Sequence, residues 1–281
     1  MKILGDFFLF CDFMKAKICG TDGSQNGEAE LPPQFSEEYR PDVIKRAFLS
    51  ERSFHFQPKG SYPRAGYNYT AEYYGRRHAW RQIINTGRSR LPRQKIPGGR
   101  SGRVLTVPHA TKGPRAHPPK AAKILRERIN IKEKKLALRS AIAATANRDL
   151  VALRGHAIVN GTPFPIIVED SFEQVRKSKE AKKALESLGL AADLQRAHES
   201  RTRRSGRARL RRGGYRTPSS ALIIIGKDLG IWKAARNIPG VDVVAVDKLT
   251  VELLCPGGQG GRLAVWTKPA LDRMAAENLY S

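Results

Sequence analysis

Acidic side chains are nearly missing from one long stretch of this 281-residue chain. Between Gln57 and Pro119 there is a single carboxylate, Glu72. A self-contained domain gains nothing from so one-sided a segment, because unbalanced charge repels itself and destabilises a compact state. Cysteine is scarce as well. Cys11, Cys19 and Cys255 include no CxxC pair and have no histidine at zinc-finger spacing, which argues against a metal site or a disulfide scaffold. Free buried thiols in a reducing cytosol are expected instead. No apolar run reaches the ~18 residues that span a bilayer, so no membrane partner is expected. Residues 1–13 superficially resemble a secretion signal, but Asp6 and Asp12 interrupt the apolar stretch and no small-residue cleavage site follows.

Catalytic signatures are also absent. There is no GxxxxGK[ST], no GxGxxG after a strand and no HExxH. Gly226-Lys227 follows an apolar run but lacks the upstream glycine and the following Ser or Thr. The glycine-rich stretch 256–262 has backbone N–H groups that could cradle a phosphate, but it reads better as a turn. The histidines, His55, His78, His109, His117, His156 and His198, are scattered. No catalytic residue, metal or cofactor is expected.

What the chain has in abundance is positive charge in two places. Residues 57–119 carry thirteen cations: Lys59, Arg64, Arg76, Arg77, Arg81, Arg88, Arg90, Arg93, Lys95, Arg100, Arg103, Lys112 and Arg115. A second run holds Arg201, Arg203, Arg204, Arg207, Arg209, Arg211, Arg212 and Arg216 with no acid. Of the formal net +25, the first segment holds +12 and the second +8, leaving +5 for the other 202 residues. A solvated charged face usually mixes signs. A nearly balanced body presenting two concentrated basic elements is the footprint of a nucleic-acid binder. Frequent Gly and Pro within 57–119 limit any helix or strand there to a few residues. The segment therefore reads as an extended arm inserted in a globular protein and ordered with its partner. Doubled back on itself, it could reach about 100 Å at ~3.3 Å per residue.

The rest alternates between helix and strand signals. Strands are expected at residues 15–19, 165–169, 220–225, 241–246 and 263–266, the third as a continuous apolar run of the kind buried on both faces. Helices are expected at 42–49, from Asn130 through Ala146, from Ser171 to near Gly189, at 231–237 and 249–254, and after Pro269. Alternating strands and helices imply an α/β fold with a mostly parallel sheet and helices on both faces.

At the end of the arm a family resemblance emerges. Val107-Pro-His-Ala-Thr-Lys112-Gly113-Pro-Arg115-Ala116-His117-Pro118-Pro119-Lys120 closely resembles the end of the long loop in universal large-subunit ribosomal protein four, archaeal and eukaryotic branch. The likeness continues through Leu136-Ala-Leu-Arg139-Ser140-Ala141, Arg154-Gly155-His156, Ala234-Ala-Arg236-Asn237 and Cys255-Pro256-Gly257-Gly258…Gly261-Arg262. Upstream, Gly23…Glu28…Leu31-Pro32…Phe35 matches the family's opening and places a natural start at Met14. Residues 1–13 then read either as a misassigned start or as a disordered extension.

The resemblance implies a three-layer α/β/α body made of residues 14–56 and 120–281, interrupted by the long basic loop 57–119. It implies a structural constituent of the large ribosomal subunit, in the cytoplasm, partnered by ribosomal RNA and neighbouring ribosomal proteins. The ribosomal-RNA contacts are expected at Arg64, Arg76, Arg77, Arg81, Arg88, Arg90, Arg93, Lys95, Lys112, Arg115, His117 and Lys120, and at Arg201, Arg203, Arg204, Arg207, Arg209, Arg211 and Arg212. Gly98, Gly99, Arg100, Ser101, Gly102 and Arg103 match the tip that lines the exit-tunnel constriction beside the nascent peptide. Tyr67, Tyr69, Tyr73, Tyr74 and Trp80 can stack on splayed bases or pack on the arm's own prolines. The competing readings are an RNA-modifying enzyme carrying a basic insert and a DNA-compacting protein.

Overall fold

The computed structural model describes residues 15–78, 82–98, 101–159, 161–211 and 213–280, with Ser101 described by its backbone alone. Expectations placed on residues 1–13, Trp80, Arg81, Gly99, Arg100, the Ser101 side chain and Arg212 fall outside the described residues. The chain divides into two compact units, one running to His55 and resuming at Arg126, the other Phe56–Leu125.

The first unit is built on a six-stranded sheet. Its strands are β1 (Lys15–Cys19), β2 (Gln25–Glu30), β3 (Ile166–Val168), β4 (Leu222–Ile225), β5 (Asp242–Ala245) and β6 (Ala264–Thr267), in the order β5-β4-β6-β3-β1-β2. All neighbouring pairs are parallel except β1 with β2. Side chains alternate between the faces of a strand, and that alternation sorts the core into two layers. Ile18, Ile167, Leu222, Ile224 and Trp266 face one side, packing against α1 (Pro41–Ser53), α2 (Ile131–Ala146), and α8 (Lys268–Ala276). Cys19, Ile166, Ile223, Ile225 and Val265 face the other, covered by α4 (Ser178–Leu185), α5 (Ala191–Glu199) and α6 (Ile231–Ala235). The continuous apolar run 221–225 follows directly, since β4 lies inside the sheet with a core on each side. The expected three-layer body with a mostly parallel sheet is present. Two short helices join these layers: Val251 and Leu254 of α7 (Val251–Leu254) pack in the first core, and Val151 of α3 (Arg148–Leu153) in the second.

Three local readings change. Strand β2 carries no apolar alternation: five of its six residues are exposed, as an edge strand permits, so periodicity could not reveal it. The helix expected from Ser171 begins at Ser178, because residues 170–174 form a 3-10 turn and Val175 is extended. It does end near Gly189, which adopts φ 82° and passes the chain into α5. Asn130 sits at the N-terminal cap of α2 as expected, yet its side chain makes no capping bond.

The Phe56–Leu125 unit contains a small antiparallel sheet of Ala71–Glu72, Arg93–Lys95 and Ser101–Val104. Its strands are two to four residues long, as the density of Gly and Pro requires. Ile83 and Leu105 are its fully buried large hydrophobics among the described residues.

Candidate nucleic-acid interface

In the Phe56–Leu125 unit, the sheet explains what two of the thirteen cations do at home. Lys95 pairs with Glu72 at 2.9 Å, and the Tyr74 hydroxyl donates to the same carboxylate at 2.7 Å. These two hydrogen bonds, from Lys95 and then Tyr74, hold the Glu72 carboxyl below the usual range. Arg93 donates to Ser89 Oγ at 2.7 Å and to the Gly102 carbonyl at 3.3 Å, tying the turn at 89 to the strand at 102. Both side chains are half-buried. The unit contains no second carboxylate, so cations far outnumber anions within it. Arg64, Arg76, Arg77, Arg88, Arg90, Arg103, Lys112, Arg115, His117 and Lys120 are exposed, as are Tyr62, Tyr67, Tyr69 and Tyr73.

Backbone geometry keeps the two limbs of this unit together. The Ser61 N–H donates to the Pro119 carbonyl at 3.1 Å. Gly66 has φ 86°, and a Cβ there would run into Pro114, so only glycine permits that approach. At the tip, Arg93 pairs antiparallel with Val104 and Lys95 with Ser101. The glycines there do different work from a shared turn. Gly98 takes φ 81° in open space, whereas Gly102 lies in a strand, where a Cβ would sit 2.9 Å from Ile96 Cδ1.

The second basic run, in the first unit, is also a hairpin. Thr202 pairs with Arg216 and Arg203 with Tyr215. Within its loop, Arg204 N donates to the Gly214 carbonyl at 2.7 Å and Arg204 Nε to the Tyr215 carbonyl at 2.8 Å. Gly206, Gly213 and Gly214 all take positive φ, and a short helical turn, Ala208–Arg211, presents Arg209 and Arg211 to solvent. Arg201, Arg203, Arg207 and Arg216 are exposed too, while Arg204 is half-buried.

Below this hairpin lies a buried polar cluster that sequence inspection missed. Asp193 is fully buried and accepts from Ser220 Oγ at 2.5 Å, Arg196 Nε at 2.9 Å and the Ala157 N–H at 3.0 Å. His156 Nδ1 lies 3.2 Å from both carboxylate oxygens, while its Nε2 faces the Leu263 N–H at 3.4 Å. Burial alone would raise the Asp193 carboxyl, but the bonds from His156, Arg196 and Ser220 outweigh it and hold the group well below the usual range. Arg262, also buried, pairs with Asp242 at 2.5 Å and donates to the Ser220 carbonyl at 3.1 Å and the Leu253 carbonyl at 2.9 Å.

Ser, His and Asp are thus together, but in the wrong order for catalysis. In a nucleophilic triad the histidine takes the serine proton, whereas Ser220 here bonds to the aspartate and the histidine's far nitrogen meets backbone. The cluster is a structural tie. Glu173 plays a similar part, accepting from the Gly226 N–H just after β4 (2.7 Å) and from Thr267 Oγ1 at the end of β6 (2.6 Å). The glycine-rich stretch at 256–261 is a turn closed from inside, because Arg154 donates to the carbonyls of Pro256 and Gln259. No cluster of three or more metal-ligating side chains, and no helix long and apolar enough to cross a membrane, occurs among the described residues.

A balanced α/β body with two exposed cationic elements fits the class of nucleic-acid-binding proteins. A family model described as the ribosomal protein L4/L1 family matches residues 29–277. Curated relatives called large ribosomal subunit protein uL4 are 44% identical: over 262 residues in Pyrobaculum aerophilum (92% of this chain, 89% of the relative); over 259 in Archaeoglobus fulgidus (92% and 97%); and over 261 in Methanocaldococcus jannaschii (93% and 98%). The chain belongs to the ribosomal protein L4/L1 family, in its archaeal type, and is a structural protein rather than an enzyme. The RNA-modifying enzyme considered on sequence grounds is therefore set aside.

Proposed function

We infer that this chain is built into the large ribosomal subunit by its two basic elements. It is a structural constituent of that subunit in the cytoplasm, with ribosomal RNA and neighbouring ribosomal proteins as partners. The observation that carries the reading is the charge distribution: +20 of the formal +25 sits in two segments that together contain a single acid, Glu72. Folding does not need that density of cations, and a polyphosphate backbone offsets it.

The finer proposal concerns the arm, residues 57–119. Its exposed cations, Arg64, Arg76, Arg77, Arg88, Arg90, Lys112, Arg115, His117 and Lys120, meet ribosomal RNA, with Arg93 and Lys95 shaping the sheet from which the tip projects. The segment that holds Gly98 and Arg103 faces the nascent peptide in the exit tunnel. The positive-φ glycine in open space and a neighbouring exposed arginine support that reading. Sedimentation tests the assignment. The tagged chain should travel with large subunits through a gradient at moderate salt, and a chain recovered only at the top would refute it.

A further inference from the structure

We propose that the 201–216 hairpin carries a stacking platform for one unpaired RNA base, formed by Tyr215 on Arg201. The inference rests on the reading that this hairpin binds RNA, and adds to it a site and a ligand class.

The pairing of Arg203 with Tyr215 puts Arg201, Arg203 and Tyr215 on the same face of the hairpin, since side chains two apart share a face. The Arg201 guanidinium lies 4.3 Å from the Tyr215 ring centroid, within cation–π range. With that arginine in place, Tyr215 is still 49% exposed. Among the described residues its hydroxyl has no hydrogen-bond partner, so the ring is not held there by a bond of its own. A large aromatic left open in a segment with no acid is out of place on a solvated surface, yet suits a base that can stack on it while phosphates meet the surrounding cations.

The platform is also prepared in advance. Arg204 clasps the Tyr215 carbonyl, and the hairpin's two ends are tied below. Arg196, in α5 before it, donates to the Ser219 carbonyl at 3.0 Å, and Asp193 in the same helix holds Ser220 after it. A rigid platform loses less freedom on binding than a floppy one. Base-paired RNA offers no free face, so the preference should be for a bulge or loop. Arg207, Arg209 and Arg211, which the turn exposes, would supply sequence-independent phosphate contacts.

The test uses the full chain and two RNAs: a stem with one unpaired 4-thiouridine, and the same stem fully paired. Y215A should weaken binding to the bulged RNA at least ~5-fold and leave the paired stem unchanged, while Y215F stays near the original, since stacking needs the ring alone. In the unaltered chain, photo-crosslinking should join the thiouridine to Tyr215, a readout that needs no variant to fold. Equal effects of Y215A on both RNAs, or crosslinks confined to the 57–119 segment, would overturn the proposal. If changing Arg207, Arg209 and Arg211 to Ala together leaves both affinities unchanged, the RNA-binding reading of the hairpin itself has failed, and the platform with it.

Discussion

Asp193 shows how much one buried carboxylate can organise. Three side chains and a backbone N–H converge on it, joining α5 to the loop before α3's successor strand and to the residue that leads into β4. Removing one member of a buried charged cluster leaves the others unpaired, which typically costs ~3–5 kcal/mol. Asp193→Asn should therefore lower the chain's stability at pH 7 by a few kcal/mol, read by denaturant unfolding. The pH sign follows from the depressed carboxyl. Its stabilisation is complete above the ordinary carboxylate pKa of ~4 and is lost as pH falls through the lower folded value. The unaltered chain should weaken below pH ~4, with a shallower acid limb in the variant. Equal stability of the two chains at pH 7 would mean that the cluster is not a tie. At the same scale, burial pushes the Cys255 thiol up to about 12. Iodoacetamide should spare it in the folded chain at pH 8 and modify it once denaturant is added; labelling at equal rates in both states would contradict the buried assignment.

Elements differ in how much holds them. Among the described residues, the Phe56–Leu125 unit has strands of two to four residues and two fully buried large hydrophobics, whereas the main sheet has a core on each face. Regions with few buried apolar contacts open most readily. Limited trypsin should thus cut the free chain first between Arg64 and Arg115 and leave a resistant remainder; an intact arm beside a digested body would reverse that order. The tip has its own test. Arg103→Glu should leave subunit yield in sucrose gradients nearly unchanged while altering stalling in ribosome profiles. Gly98→Val should do more harm, because a β-branched residue resists φ 81°. If Arg103→Glu depletes subunits as severely as charge reversal at Arg115 and Lys120, the tip anchors RNA and does not face the peptide. Elements also differ in legibility. The strands at 222–225 and 264–267 were plain as apolar runs, but the exposed edge strand β2 left no periodic trace, and the 3-10 turn at 170–174 mimicked a helix start.

For the whole molecule, the decisive quantity is the number of cations that meet phosphate. If ~8–12 do so, log K for ribosomal RNA should fall with log salt at a slope of roughly −6 to −11. Neutralising Arg201, Arg203, Arg204 and Arg207 together should flatten that slope without unfolding the body, and a slope shallower than about −3 in the unaltered chain would leave the charge without a purpose. The sequence by itself determined the α/β class, the two basic segments and the family, because charge, apolar runs and a long specific stretch such as 107–120 are linear properties that survive without coordinates. The tertiary structure decided which cations stay at home: Lys95 with Glu72, Arg93 with Ser89, Arg262 with Asp242. It also decided that Ser220, Asp193 and His156, far apart in sequence, form a tie rather than a triad, and that Arg201 underlies Tyr215. Those outcomes depend on distances between residues that the fold brings together, and a one-dimensional pattern carries no such distances.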